Sequence, residues 1–312
     1  MQTLDEFDRR FPDEEACKEY VKAMRWPDGV VKCPRCGNDA VYALKARPFN
    51  WVCKSGKESV NKETGEVLTC QKQNGYRFSV ITHTIFENTK RPLKSWFKIG
   101  YLMLTAKKGI SALQVHRMMF GSKHTNNYHT TWYQCMRLRA AMQDNQWEQL
   151  MGEVEVDEVF IGGKEKNKHR GHHRPHSQGG AGKTEVIGAI ARKGNVVCQI
   201  INRGETNAHQ NFVRKVISPN VSLVSTDEAR HYWALNDIGF KHEMVHHTEH
   251  EYVRGRAHTQ SIESFWSLLR RGIMGSFHKV SVDYLPLYLS EFTYRYNRRH
   301  DNDPFGELIS KV

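Results

Sequence analysis

The stretch Glu153-Val-Glu-Val-Asp-Glu-Val-Phe-Ile161 constrains this chain more than any other. Val154, Val156, Val159 and Ile161 form an alternating apolar run, the signature of a β-strand, and Asp157 interrupts it. Asp227 closes a second short apolar run, Val221 to Val224, and so falls at a strand's end. Glu263 lies among Ile262, Phe265, Trp266 and Leu269, spaced as one face of a helix. Carboxylates about 4 Å apart repel by about 4 kcal/mol at an effective dielectric of 20, so a cluster of them shares a proton or holds a cation. Two acids on strands and one on a helix make a cage for hard divalent ions, magnesium or manganese. Glu155 shares the strand face of Asp157, whereas Glu158 points to the opposite one. Neither is read as a ligand.

Cysteines supply a second constraint. Cys33-Pro-Arg-Cys36 forms a tight knuckle, and Cys53 and Cys70 follow. Four thiolates are the tetrahedral sulfur set of a structural zinc. Sixteen residues, Lys54 to Thr69, separate Cys53 from Cys70, a polar insert rich in Lys, Glu, Ser and Gly that reads as an extended hairpin tip. That length leaves open whether both bind one ion. Cys17, Cys135 and Cys198 occur singly in apolar contexts and read as core residues. A metal set, rather than a disulfide framework, suits a reducing compartment. The chain starts without a basic segment followed by an apolar one, and no run approaches the ~18 apolar residues of a membrane span. The expectation is a cytoplasmic protein with no membrane partner, associated with the nucleoid when bound to DNA.

The 312 residues suffice for several domains. Four are expected: an N-terminal helical segment over 1–29, a zinc ribbon over 30–88, a helical, helix-turn-helix-like DNA-binding region over 89–150, and an α/β domain over 151–312. Asp13 caps a helix from about Glu14, and Ser111 with Gln114 opens another over Ala112 to Met119. In the last domain strands are expected at Glu153–Ile161, Glu185–Arg192, Val196–Asn202 and Val221–Thr226. Helices are expected at Ala208–Ile217, from His231 to about Asp237 and from Gln260, with a short strand near Lys241–His246. Three hairpin-connected strands followed by alternating helices and strands is the order of a ribonuclease H-like domain. Asp227 then follows a strand that neighbours the strand of Asp157.

A formal net charge of +12 favours a polyanionic partner. Lys164 to Lys183 carries six Lys/Arg against one Glu, and Arg270 to His300 six against two acids. Both stretches flank the carboxylates. Lys164, Lys166, Lys168, Arg170 and Arg174 are expected to meet DNA phosphates. Gly179-Gly-Ala-Gly182-Lys183-Thr184 ends like a P-loop, but Ser177 stands where the pattern needs Gly and no apolar strand precedes it.

The segment from Val154 to Gly163, Ser225-Thr-Asp-Glu228, and His258-Thr-Gln-Ser-Ile-Glu-Ser-Phe-Trp266 resemble the ISXO-like DDE transposases of bacterial insertion sequences, relatives of the Merlin elements. Arg25-Trp-Pro-Asp-Gly29, Cys33-Pro-Arg-Cys-Gly37 and Tyr288-Leu-Ser-Glu-Phe-Thr-Tyr-Arg-Tyr-Asn-Arg-Arg299 extend the resemblance over nearly the whole chain. It implies a metal-dependent enzyme that binds the terminal inverted repeats of its element, cleaves the ends and joins the 3′-hydroxyls to target DNA. Asp157, Asp227 and Glu263 are then its catalytic triad, and Arg270, with Arg271 beside it, holds DNA. The family commonly has Lys at position 270 and Asn at 260, where this chain has Arg and Gln. Arg keeps the charge and grips phosphate bidentately. Joining two ends implies a homodimer or larger assembly on double-stranded DNA. The rival readings are a decayed or domesticated relative acting as a DNA-binding regulator, and a nuclease that cuts without joining.

Overall fold

The computed structural model describes residues 3–60, 65–121, 127–144, 148–163, 182–202, 207–245 and 256–310. They form two compact units: Met1–Thr105 with Val115–Ala141 and Asn302–Val312, and Ala106–Gln114 with Met142–Asp301.

In the first unit, α1 (Leu4–Arg10) opens on Thr3, whose hydroxyl accepts the Glu6 amide while the Glu6 carboxylate accepts the Thr3 amide. Asp13 caps α2 (Glu14–Arg25) through the Ala16 amide at 2.8 Å. The N-terminal region thus holds two helices where the sequence suggests one, because Pro12 interrupts the backbone between them. Glu14 in turn accepts the Leu93 and Lys94 amides at 3.0 and 3.1 Å, fixing the start of α3 (Leu93–Thr105). The aromatic rings of Phe7, Phe11, Phe97 and Phe305 pack together at the centre. Helices α4 (Ala112–Phe120) and α5 (Tyr128–Ala141) follow along the chain.

The ribbon is a three-stranded antiparallel sheet of β1 (Val41–Ala43), β2 (Asn50–Cys53) and, beyond a hairpin of β3 (Glu58–Val60) and β4 (Val67–Thr69), β5 (Tyr76–Ser79). The insert between Cys53 and Cys70 is that hairpin, in the register Glu58 opposite Thr69.

The second unit is built on a five-stranded sheet. Its strands are β6 (Glu153–Ile161), β7 (Thr184–Ala191), β8 (Val196–Ile200), β9 (Leu223–Thr226) and β10 (His242–Met244), in the order β10-β9-β6-β7-β8. β6, β7 and β8 form an antiparallel meander, while β9 runs parallel to β6 and β10 parallel to β9. This is the ribonuclease H-like arrangement expected from the sequence. One face packs Val154 and Val156 against Phe212, Val213 and Val216 of α6 (Ala208–Val216). The other packs Val159 and Ile161 against α7 (Gln260–Gly272) and α8 (Leu285–Asn297). The helix expected from His231 is a 3-10 run, Arg230–Leu235. Short 3-10 runs of this kind are frequent as connectors between longer elements.

Candidate active site

Strand register brings the first two acids together. In the parallel pair Glu155 lies opposite Ser225, so Asp157 and Asp227, each two residues further on, come level. One oxygen each from Asp157, Glu158 and Asp227 lies within 4.8 Å of the others. Burial first, then the charges of Glu158, Asp227 and Glu263, push the Asp157 carboxyl up to about 7. Such a cluster is relieved by a cation, and its oxygen-only donors suit magnesium or manganese.

The presence of Glu158 in this group corrects the alternation argument. Among the described residues β6 pairs with β9 only over Glu153, Val154 and Glu155, so beside Asp157 and Glu158 that edge of β6 meets no described partner strand. A long carboxylate arm on the far face therefore reaches the same edge as Asp157. Glu158 also meets His231, which donates to it, and lies 3.5 Å from His209 Nε2. Burial alone would lower the His231 pKa, but the hydrogen bond and charge of Glu158 outweigh it and raise the value. No spacing in the sequence marks either histidine.

Glu263 sits in the first turn of α7, where its carboxylate accepts the Thr259 hydroxyl at 2.7 Å. It lines the same cleft as Asp157, together with Trp266, Arg270, Arg271 and Lys108, without joining the tighter three-carboxylate group. Seven residues return a helix to nearly the same face, which aligns Arg270 with Glu263. Lys108 is a cleft residue that the sequence does not single out. Glu155 has a different task. Fully buried, it accepts the Ser261 and Ile262 amides at 2.7 and 3.1 Å and the Arg192 guanidinium at 3.0 Å. Lys164, Lys166, Lys168, Arg170 and Arg174 lie outside the described residues.

In the ribbon Cys33, Cys36, Cys53 and Cys70 converge on one point. Sγ separations are 3.6 Å for Cys36–Cys53 and 3.9 Å for Cys33–Cys70. A tetrahedral zinc with bonds of ~2.3 Å needs sulfurs about 3.8 Å apart, so the four thiols fit the ion. Burial raises the Cys33 and Cys70 thiols. Cys36 is opposed by its own desolvation, yet the Ser55 hydroxyl and the Asn38 amide bring it down to about 7. Cys17 and Cys135 are buried as the sequence suggests, and Cys198 is partly so.

A carboxylate-bearing ribonuclease H-like sheet preceded by a four-cysteine ribbon defines the DDE class of transposase. Residues 149–297 match the ISXO2-like transposase domain, and residues 12–58 match the transposase zinc-ribbon domain. The chain belongs to the ISXO2-like DDE transposases with an N-terminal zinc ribbon, a family whose identity implies DNA binding. Cys70 falls beyond the matched ribbon segment, and the fold returns it to the other three cysteines. The chain is also similar to the "Uncharacterized protein in transposable element ISH50" of Halobacterium salinarum, 27% identical over 302 residues and 92% of each chain. No helix among the described residues is long and apolar enough to cross a membrane.

Proposed function

We propose that this chain is an active insertion-sequence transposase, working on DNA in the cytoplasm. It binds the inverted repeats at its element's ends, cuts there, and joins the freed 3′-hydroxyls to target DNA. The observation that carries this reading is the shared cleft of Asp157, Glu263 and Arg270, with Asp227 beside Asp157 across the parallel strands. Asp157, Asp227 and Glu263 would hold divalent cations, and magnesium or manganese there would supply activation of the attacking oxygen and neutralisation of charge on the leaving one. In the first step a water oxygen forms a bond to phosphorus and the 3′ oxygen leaves as a hydroxyl. In the second, that hydroxyl attacks a target phosphodiester and displaces another 3′ oxygen. Both are in-line displacements, so one set of carboxylates serves both.

Arg270 and Arg271 hold the DNA backbone at the cleft. The zinc ribbon (30–88) and the helical region (89–150) recognise the repeats, and 151–312 is the catalytic domain. Lys164, Lys166, Lys168, Arg170 and Arg174 contact phosphates near the scissile bond. Replacing these five with Ala lowers the salt dependence of duplex binding, by about 0.9 in log–log slope for each phosphate no longer neutralised. Synapsis of two ends requires at least a homodimer on DNA.

Asp157→Asn, Asp227→Asn and Glu263→Gln each remove a ligand's charge at nearly constant shape. Each is expected to abolish cleavage and strand transfer on a labelled repeat-end duplex while repeat binding persists. Full activity in any one removes that residue from the triad. Cleavage without joining by the unmodified protein would establish a nuclease, and binding with neither activity a regulator.

A further inference from the structure

Glu158, His209 and His231 form a cluster that the proposed reaction does not use. His209 stands at the start of α6 and His231 in the 3-10 run after Asp227, on the sheet face opposite α7. One oxygen of Glu158 and one nitrogen of each histidine lie within 4.8 Å of one another. The two Nε2 atoms address the same Glu158 oxygen. The imidazole rings stack with centroids 3.9 Å apart and planes inclined by 25°. Both rings turn Nε2 to one carboxylate oxygen, so two nitrogen donors and one oxygen donor lie within reach of a single ion.

A further observation points the same way. Glu185 Oε1 lies 2.7 Å from the His209 Nε2 that also approaches Glu158, so one nitrogen faces two carboxylates. A neutral ring N–H can be aimed at one of them only. His209, His231 and Glu158 side chains retain 15%, 35% and 8% of their exposure, which leaves an ion a way in.

We propose that Glu158, His209 and His231 bind one transition-metal ion on this face of β6, at a site that shares Glu158 with the Asp157–Asp227 pair. Two imidazoles and a carboxylate select zinc, manganese, cobalt or iron over magnesium. Glu185 is placed to complete the coordination. The ion ties α6, β6 and the turn after Asp227 together, and it neutralises Glu158 directly beside the catalytic carboxylates. The proposal does not depend on transposition, because the binding it asserts needs no DNA.

The test uses full-length protein with its ribbon zinc loaded and with Asp157→Asn and Asp227→Asn to remove the neighbouring oxygen site. Cobalt(II) titration is expected to fill one further site per chain, with visible bands of nitrogen–oxygen coordination and no thiolate charge transfer. Excess magnesium should not displace it, and zinc should. Adding His209→Gln and His231→Gln should weaken uptake at least tenfold, since even loss of an outer partner of a metal ligand costs about 10–100-fold. Uptake unchanged by the histidine substitutions, or none beyond the ribbon, overturns the site. Should those variants fail to fold, pulsed EPR of manganese(II) decides in protein with unmodified, 15N-labelled histidines. Coupling to 15N supports the site, and its absence overturns it.

Discussion

The Glu155 carboxylate accepts the backbone amide of Ser261 at 2.7 Å, joining the middle of β6 to the first turn of α7. A second amide, of Ile262, reaches the same oxygen at 3.1 Å, and the Ser261 hydroxyl reaches the other at 3.0 Å. Negative charge at a helix N-terminus is favoured by the dipole and satisfies donors that would otherwise be orphaned. Glu155 stands two residues before Asp157 on one strand face, and Ser261 two residues before Glu263. A single buried contact therefore sets where the helix-borne acid stands relative to the strand-borne one.

Glu155→Gln should show this as a positioning effect. The substitution removes the charge that faces Arg192 and replaces one accepting oxygen with a donor. Loss of one partner of a buried ion pair costs on the order of 3 kcal/mol. Urea denaturation should register that loss, and divalent-dependent cleavage should fall although residue 155 does not line the cleft. Unchanged stability together with unchanged cleavage would show that α7 is held by other contacts.

Asp157 predicts an unusual pH dependence. Its carboxyl rises from 3.8 in an unfolded chain to about 7 in the fold. The stability it contributes is therefore full below pH ~4 and is lost as pH rises through ~7. In chelator at pH 8, Asp157→Asn should be the more stable protein, by at most about 4 kcal/mol. Saturating manganese should shrink or reverse the difference. Melting curves with and without the ion test this, and an Asn variant less stable in chelator at pH 8 would contradict it.

Gly188 lies opposite Asp157 in the β6–β7 register, and α7 packs directly over it. A Cβ there would stand 2.6 Å from the Trp266 ring, which is buried and has little room to retreat. Gly188→Ala should cost about 1–3 kcal/mol through overpacking. It should also shift tryptophan emission and lower activity as α7 moves Glu263 away from Asp157. Wild-type emission and stability would mean that the ring has somewhere to go.

In the ribbon, Cys70→Ser should release zinc as readily as Cys33→Ser does. Elemental analysis should fall from about one zinc per chain to well below one, with the region between 30 and 80 losing protease resistance. Stoichiometric zinc in the Cys70 variant would confine the site to the other three cysteines.

Much of this was legible in residue patterns. β6 spans the residues expected from its apolar alternation, and α7 starts at the expected Gln260. Asp157 and Asp227 meet because the parallel neighbour strand ends at Thr226, one residue before Asp227. Patterns failed where an answer depended on a distant partner. Nothing local distinguishes Glu155, a helix anchor, from Glu158, which reaches the carboxylate group around a strand edge. Glu14 gives no hint that it caps a helix 79 residues away. His209 and His231 are brought together by the packing of α6, to which neither spacing nor composition points.

The hairpin of β3 and β4 leaves the ribbon at Cys53 and returns at Cys70, its base held by Gly56 N–H to the Cys70 carbonyl and Cys70 N–H to the Lys57 carbonyl. Once those ends are pinned, extra chain at the tip adds little entropy, about 0.6 kcal/mol for each doubling of length. The length of this arm can therefore change at little cost to the four-cysteine cluster beneath it. The same freedom serves an experimenter, for whom the span between Val60 and Val67 offers a place to graft an affinity tag or a fluorophore.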